Sequence, residues 1–245
     1  MPNVSDQTLT IATWNLDRPN RSTEVKNGRI FAEIEKVDAD IWVLTETNSC
    51  ISPGKNYVSF ATSPLFGTAF PRGEKYERGE NRVTIWVRRT WKAELRPQYC
   101  DSHSSICVAI ATPLGDLNVY GTIIGIYGLG GAEFDEGLDV QINDWRRLQE
   151  LGHLCLVGDF NIFLEDSTSY SKSARQKVHE VFDQLNVQAP TQNILNNVDH
   201  IAFSKSFLSS DVPSPSTWNE GQGGKPPDKK ISDHMGVCLT LKRSA

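Results

Sequence analysis

Apolar residues along this chain fall into short runs, most of them too brief for helices. "LTIATWNL", "DIWVLTET", "RVTIWVRR", "SICVAIAT", "LNVYGTIIGIY", "LCLVGDF", "VDHIAF" and "GVCLTL" are strand length and rich in valine, isoleucine, threonine and aromatics, residues that suit a pleated, half-buried surface. Three stretches have helical spacing instead: Ile30, Ile34 and Val37 with Phe31; Leu138, Ile142, Trp145, Leu148 and Leu151, closed by Gly152; and Ala174, Val178, Val181, Phe182 and Leu185. Strands dominate, several follow one another directly, and a helix precedes the strands at Ile41 and Leu154. That order predicts an α/β (α+β) architecture of two packed sheets with helices outside them, not a regular doubly wound parallel sheet. Residues 51–80 and 209–230 lack the patterning and are expected to be loops; the second contains "GQGGKPPDKK". Loops that long in a compact domain are usually binding elements or disordered.

Composition narrows the class. The chain has 245 residues, 38% hydrophobic content and no recognisable linker, so one domain spanning 1–245 is expected. A formal charge of -5 disfavours a protein that grips nucleic acid through a broad basic surface. It leaves room for an enzyme that meets phosphates through a local basic patch or a bound metal. "MPNVSDQTLT" has no basic segment followed by an apolar one, and no window approaches the ~18 apolar residues of a membrane span. A soluble cytoplasmic protein is expected. Five scattered cysteines fit reduced core thiols better than a disulfide framework or a zinc site.

Polar residues recur where the apolar runs stop. "CLVGDFNI" ends on Asp159 and Asn161 with Phe160 between them; if the strand geometry continues, the two polar side chains share a face and the ring takes the other. A simple turn explains the same residues. Asn15 and Asp17 flank Leu16 in the same way, Glu46 follows "IWVLT", Asp199 opens "DHIAF", and Asp233 and His234 precede the last strand. Any one of these reads as a solvated strand terminus. Together they form a set of carboxylates, carboxamides and one imidazole.

"TWNLD" at 13–17, "LTET" at 44–47, "GDFN" at 158–161, "VDHIAFS" at 198–204 and "SDH" at 232–234 resemble, in order, the motifs of the endonuclease/exonuclease/phosphatase superfamily. The resemblance implies a four-layer αββα sandwich of two mostly antiparallel sheets, a site at one sheet edge, and Mg2+- or Mn2+-dependent phosphate-ester hydrolysis. It further implies Glu46 as principal metal ligand with Asn15 beside it, and Asp17 and Asp233 as nearby or second ligands. Asp159 would activate the attacking water, Asn161 would hold that water or a phosphate oxygen, and His234, paired with Asp199, would donate to the phosphate. Oxygen donors suit a hard divalent ion that keeps waters and shares its shell with phosphate. His200 would face away from Asp199 on an extended strand, and His103, His153 and His179 occupy no ligand spacing.

One position departs from the pattern. Where the family usually places a histidine or tyrosine against the phosphate or leaving group, this chain has Ile123. Tyr127 shares its strand parity but lies about 13 Å further along, so it would serve only if the backbone folds back. Arg18, Arg21, Arg72, Lys75, Arg78, Arg82, Lys225, Lys229 and Lys230 cluster near the motifs and long loops and are candidates for backbone phosphates; interleaved Glu74, Glu77, Glu80 and Asp228 make a merely solvated surface an equal reading. A monomeric nuclease acting on nucleic acid is the expected function. A phosphatase or phospholipase of the same fold, and a binding module that has lost activity, are the alternatives.

Overall fold

The computed structural model describes residues 7–67, 75–125, 131–165, 172–208, 214–220 and 230–243. In chain order the elements are β1 (Gln7–Asn15), α1 (Glu24–Val37), β2 (Ile41–Asn48), β3 (Tyr57–Ala61), β4 (Glu80–Arg88), β5 (Ala93–Leu95), β6 (Ser105–Thr112), β7 (Gly115–Ile123), α2 (Ala132–Gln149), β8 (Leu154–Asp159), α3 (Lys172–Gln184), β9 (Val187–Gln188), β10 (Asp199–Ser204), β11 (Ser216–Trp218) and β12 (Gly236–Arg243). They form two six-stranded sheets, ordered β11-β12-β1-β2-β4-β3 and β5-β6-β7-β8-β10-β9.

Among the described residues each sheet has a single parallel pair, β1–β2 in one and β7–β8 in the other, and the other pairings are antiparallel. Parallel neighbours need a crossover; α1 supplies the first and α2 the second, as the helices ahead of Ile41 and Leu154 predict. Strand pleating then separates three apolar clusters. Leu9, Ile11, Ile41, Val43, Val119, Cys155, Val157 and Ile201 meet between the sheets. Trp14, Trp42 and Leu44 face Ile30 and Ile34 of α1, while Tyr120, Leu154 and Leu156 face Trp145 of α2 and Phe182 of α3. Central strands are thus buried on both faces, which is why they read as nearly continuous apolar runs. Each fully buried large side chain contributes roughly 1.5–3 kcal/mol.

The outcome is the four-layer sandwich, with two corrections. Residues 51–80 contain β3 and residues 209–230 contain β11, so neither stretch is wholly loop. Phe31 and Leu151, counted into the helical stripes, are 39% and 47% exposed; Leu151 lies past the end of α2. All five cysteines are free, with Cys107, Cys155 and Cys238 buried. No described helix is long and apolar enough to cross a membrane.

Candidate active site

Topology gathers the polar strand ends at one edge of the sandwich. Asn15 closes β1, Glu46 sits near the end of β2 and Asp159 closes β8. β10 runs antiparallel to β8, so its first residue, Asp199, lies directly opposite Asp159. β12 runs antiparallel to β1, with Val237 opposite Thr13, which brings the preceding His234 to the same edge.

Asp159 and Asn161 do face one another, for a different reason than continued extension. Asn161 is left-handed, with φ 52°. Its backbone N–H donates to Asp159 Oδ1 at 2.9 Å, and its Nδ2 donates to Asp159 Oδ2 at 3.3 Å and to the Ile124 carbonyl at 2.8 Å. This is the local turn such residues favour, so the turn and the polar pair are one structure. Phe160 points inward and stacks on Trp145 at 6.0 Å. Asn15 repeats the device: its Oδ1 accepts from the Asp17 N–H at 2.9 Å, while its Nδ2 donates to Asp159 Oδ2 at 3.0 Å. Gly158 allows the approach. Its φ is 137°, and a Cβ there would lie 2.0 Å from the Thr122 carbonyl oxygen.

His234 Nδ1 and Asp199 Oδ2 are 2.7 Å apart. The loop carrying His234 is tied down by Ser232, whose hydroxyl donates to the Asn15 carbonyl at 2.7 Å. Asn219 clamps it from the other side, donating from Nδ2 to the carbonyls of Ser232 and His234 and accepting from the Ile231 N–H. Trp14 Nε1 also donates to the His234 carbonyl, at 3.2 Å. Glu46 lies close enough to His234 to feel its charge, and Arg82 Nη1 stands 3.4 Å from Glu46 Oε1, its side chain only 5% exposed. Asn219 and the Glu46–Arg82 pairing are not legible in the sequence, since they depend on β11 and on the β2–β4 register.

Backbone strain concentrates here. Among the described residues, eight non-glycine residues have positive φ, and Asp17, Arg18, Glu46, Asn161, Asn196 and Asn219 lie at or beside this edge. Such residues persist only where surrounding structure over-determines them.

Burial sets the electrostatics. Asp159 is pushed up to about 7 by burial and by the facing charge of Asp199, partly opposed by His234 and the hydrogen bonds from Asn15 and Asn161. Burial also raises Asp199, while His234 favours its ionised form. For His234 burial works downward, but Asp199, then Asp159 and Asp233, outweigh it and lift the imidazole to about 10. His234 and Asp199 therefore favour each other's charged forms against burial, and Asp159 is the carboxyl poised near neutrality. Burial raises Glu46, against the pull of Arg82, His234 and Arg18.

The remaining candidates are placed unevenly. Asp17 is exposed and held by Lys26 at 2.9 Å, and Asp233 is 76% exposed with Oδ1 3.9 Å from His234 Nε2; both stand at the rim. Arg18 is engaged by Glu80 at 3.2 Å and by the Lys75 carbonyl at 2.7 Å, and Arg82 is buried beside Glu46 and Tyr76. These two arginines organise the site wall and are not part of an open basic surface. Arg21 is exposed near Cys50. Lys230 lines a cavity of about 640 Å³ with Asp199, Asp233, His234, Asn197 and Phe163. Tyr127, Arg72, Lys225 and Lys229 lie outside the described residues. His200 is a core residue, as its strand parity implies: it is buried, with Nε2 2.9 Å from the Ile162 carbonyl.

The donor set fits a hard divalent ion. Carboxylate oxygens of Asp159 and Asp199 lie within 4.8 Å of one another beside His234, and Asp199 Oδ1 is buried without a hydrogen-bond partner; the imidazolium, a donor at both nitrogens, is a neighbour of the ion and not a ligand. Glu46, Asn15 and Asn161 add further oxygens beside them, the chemistry magnesium or manganese takes.

The sequence pattern of the Endonuclease/Exonuclease/phosphatase family matches residues 12–234, and the chain belongs to that family. Solved structures agree on the fold. An AP endonuclease from Leishmania major superposes with a TM-score of 0.70 at 14% identity, covering 97% of this chain and 89% of that one. An endonuclease/exonuclease/phosphatase family protein from Bacteroides thetaiotaomicron gives 0.65 at 15% identity, covering 98% and 100%, and TDP2 from Caenorhabditis elegans gives 0.60 at 13%, covering 96% and 74%. No curated protein matches the sequence significantly.

Proposed function

We propose that this chain is a magnesium- or manganese-dependent phosphodiesterase that hydrolyses nucleic acid as a monomer. The observation that carries the reading is Asp159. It is a buried carboxyl poised near neutrality, fixed by Asn15 and Asn161 and set opposite an Asp199–His234 pair. Glu46 and Asn15 would hold the ion, with Asp17 and Asp233 as outer contributors. When bound, the ion supplies charge neutralisation at the phosphate and leaving oxygens.

The protein's own groups supply the rest. Asp159 accepts the proton of the attacking water as its oxygen bonds to phosphorus and the ester P–O bond breaks. Asn161 orients that water or a phosphate oxygen. His234 donates from Nε2, the ring nitrogen not engaged by Asp199, to a phosphate oxygen whose charge grows in the transition state. Ile123 offers no such group, so among the described residues leaving-group stabilisation falls to His234. Lys230 on the adjoining cavity, with Arg21, Lys229 and Tyr127, would contact the substrate beyond the reacting phosphate.

A panel of single- and double-stranded DNA, abasic DNA, RNA, a phosphoinositide and an aryl phosphodiester, each with magnesium and manganese, tests the reading. Nucleic acids should be cleaved fastest, and Asp159→Ala should abolish that cleavage. Preference for the phosphoinositide, or turnover retained by Asp159→Ala, would overturn it.

A further inference from the structure

A second cavity, of about 360 Å³, opens on the other side of Asp159 from His234. Its wall includes Ile123, Val140, Gly137, His103, Glu133 and Glu136. Ile123 lies opposite Asp159 across the β7–β8 pair, one strand spacing away at ~5 Å. The next residue, Ile124, donates its N–H to the Asp159 carbonyl at 2.9 Å and accepts from Asn161. A group seated here is within one substituent's reach of a phosphate held at Asp159.

Shape and charge restrict what it takes. Gly137 is a mid-helix glycine, which costs ~1 kcal/mol against alanine, yet a Cβ there would meet nothing within 4 Å. The missing side chain leaves space and nothing else. Val140, one turn on, keeps 49% of its surface exposed on the same wall. Behind it Gln141 is fixed, bonded to Thr122 and donating to the Ile123 carbonyl and to Ser104 Oγ, so the wall behind Val140 is rigid. Three carboxylates, Asp101, Glu133 and Glu136, share the rim with one imidazole, His103. This balance repels a second phosphate and favours N–H donors. A cavity of this size with apolar walls and a few polar groups is typical of a small-molecule subsite.

We propose that this cavity receives the base of the nucleotide flanking the scissile phosphate and selects bases with an exocyclic amino group. The ring lies on Val140 in the space that Gly137 leaves open, and the amino group donates to the acidic rim. Thymine and uracil turn carbonyl oxygens toward the same carboxylates and are disfavoured. This selectivity rests on the phosphodiesterase reading; adenosine binding does not.

Two measurements keep them apart. The first is kcat/KM for d(ApA), d(TpT), p-nitrophenyl phosphorylcholine and the base-free methyl p-nitrophenyl phosphate, in wild type, Gly137→Leu and the pair Glu133→Gln with Glu136→Gln. The second is calorimetric binding of adenosine and thymidine without metal. Gly137→Leu fills the space while improving helix propensity, and thermal melting checks its fold. The ratio of d(ApA) to base-free turnover should fall at least tenfold in Gly137→Leu, adenosine affinity should fall with it, and the double glutamine variant should erase the preference for d(ApA) over d(TpT). An unchanged ratio, equal binding of adenosine and thymidine, or selective loss of the phosphorylcholine ester would overturn the proposal. If wild type hydrolyses no ester, the phosphodiesterase reading fails, and adenosine binding alone decides the cavity: binding lost in Gly137→Leu supports it, and no binding sinks it.

Discussion

Replacing Asp199 by asparagine should strip His234 of most of its preference for the cationic form. The imidazole rises from 6.5 to about 10 in the folded protein. At ~1.4 kcal/mol per pH unit, that rise corresponds to about 5 kcal/mol in favour of imidazolium, achieved against burial. The nearest anion is Asp199 Oδ2 at 2.7 Å, and Asp233 is 3.9 Å away on the exposed side. Asparagine keeps the shape and removes the charge, so the pKa should drop to ~7 or below. Histidine resonances of the metal-free protein, followed by NMR from pH 5 to 11, read this directly. Because the folded value lies above the unfolded one, the stabilisation is complete below 6.5 and fades as pH rises through about 10. The stability gap between wild type and Asp199→Asn should therefore be full below pH 6.5 and narrow as pH rises from there toward 10. A wild-type His234 titrating near 6.5, or one unmoved by the substitution, would refute the paired imidazolium.

Other sites give independent tests. Arg82→Met leaves Glu46 with burial less opposed, so urea denaturation should show a loss of up to ~3 kcal/mol and calorimetry a weaker magnesium affinity. Gly158→Ala drives a Cβ into the Thr122 carbonyl and should cost ~3 kcal/mol or more; a melting temperature within a degree of wild type would contradict the β7–β8 geometry. Burial holds His200 down at about 4, so its contribution is complete above 6.5 and lost as pH falls through 4. The difference in stability between wild type and His200→Gln should shrink by ~3 kcal/mol over that window, and a pH-independent difference would refute it. Asp159 loses its proton near 7, and a nearby divalent ion favours the ionised form. The acid limb of activity should move to lower pH as magnesium rises, and a fixed limb would separate that carboxyl from the ion.

Legibility in the sequence tracked how strands are buried. All eight internal strands announced themselves, and the four that did not, β3, β5, β9 and β11, are the four sheet edges. An edge strand pairs on one side and is half exposed; β3 alternates buried and open residues over only five positions, and β5, β9 and β11 have three or fewer. No apolar run forms. The site residues at the ends of central strands, Asn15 and Asp159 closing β1 and β8 and Asp199 opening β10, stood out because a polar side chain bounds such a run. Asn219 did not, since it works from just past the short edge strand β11, and Arg82 looked like one more surface cation until the β2–β4 pairing set it against Glu46. The shared face of Asp159 and Asn161 was correct in outcome, but strand parity was the wrong cause: a left-handed turn at Asn161, not extended backbone, aims it back at Asp159.

The central claim is that the ion and the proton acceptor are separate duties of one strand-end cluster. Magnesium affinity and phosphodiester turnover, measured together on wild type, Glu46→Gln and Asp159→Asn, test it most directly. Glu46→Gln should lose both, whereas Asp159→Asn should still bind magnesium and lose turnover by ~10²–10⁴-fold. Cleavage that survives chelation of the metal, or an Asp159→Asn variant as active as wild type, would contradict the account.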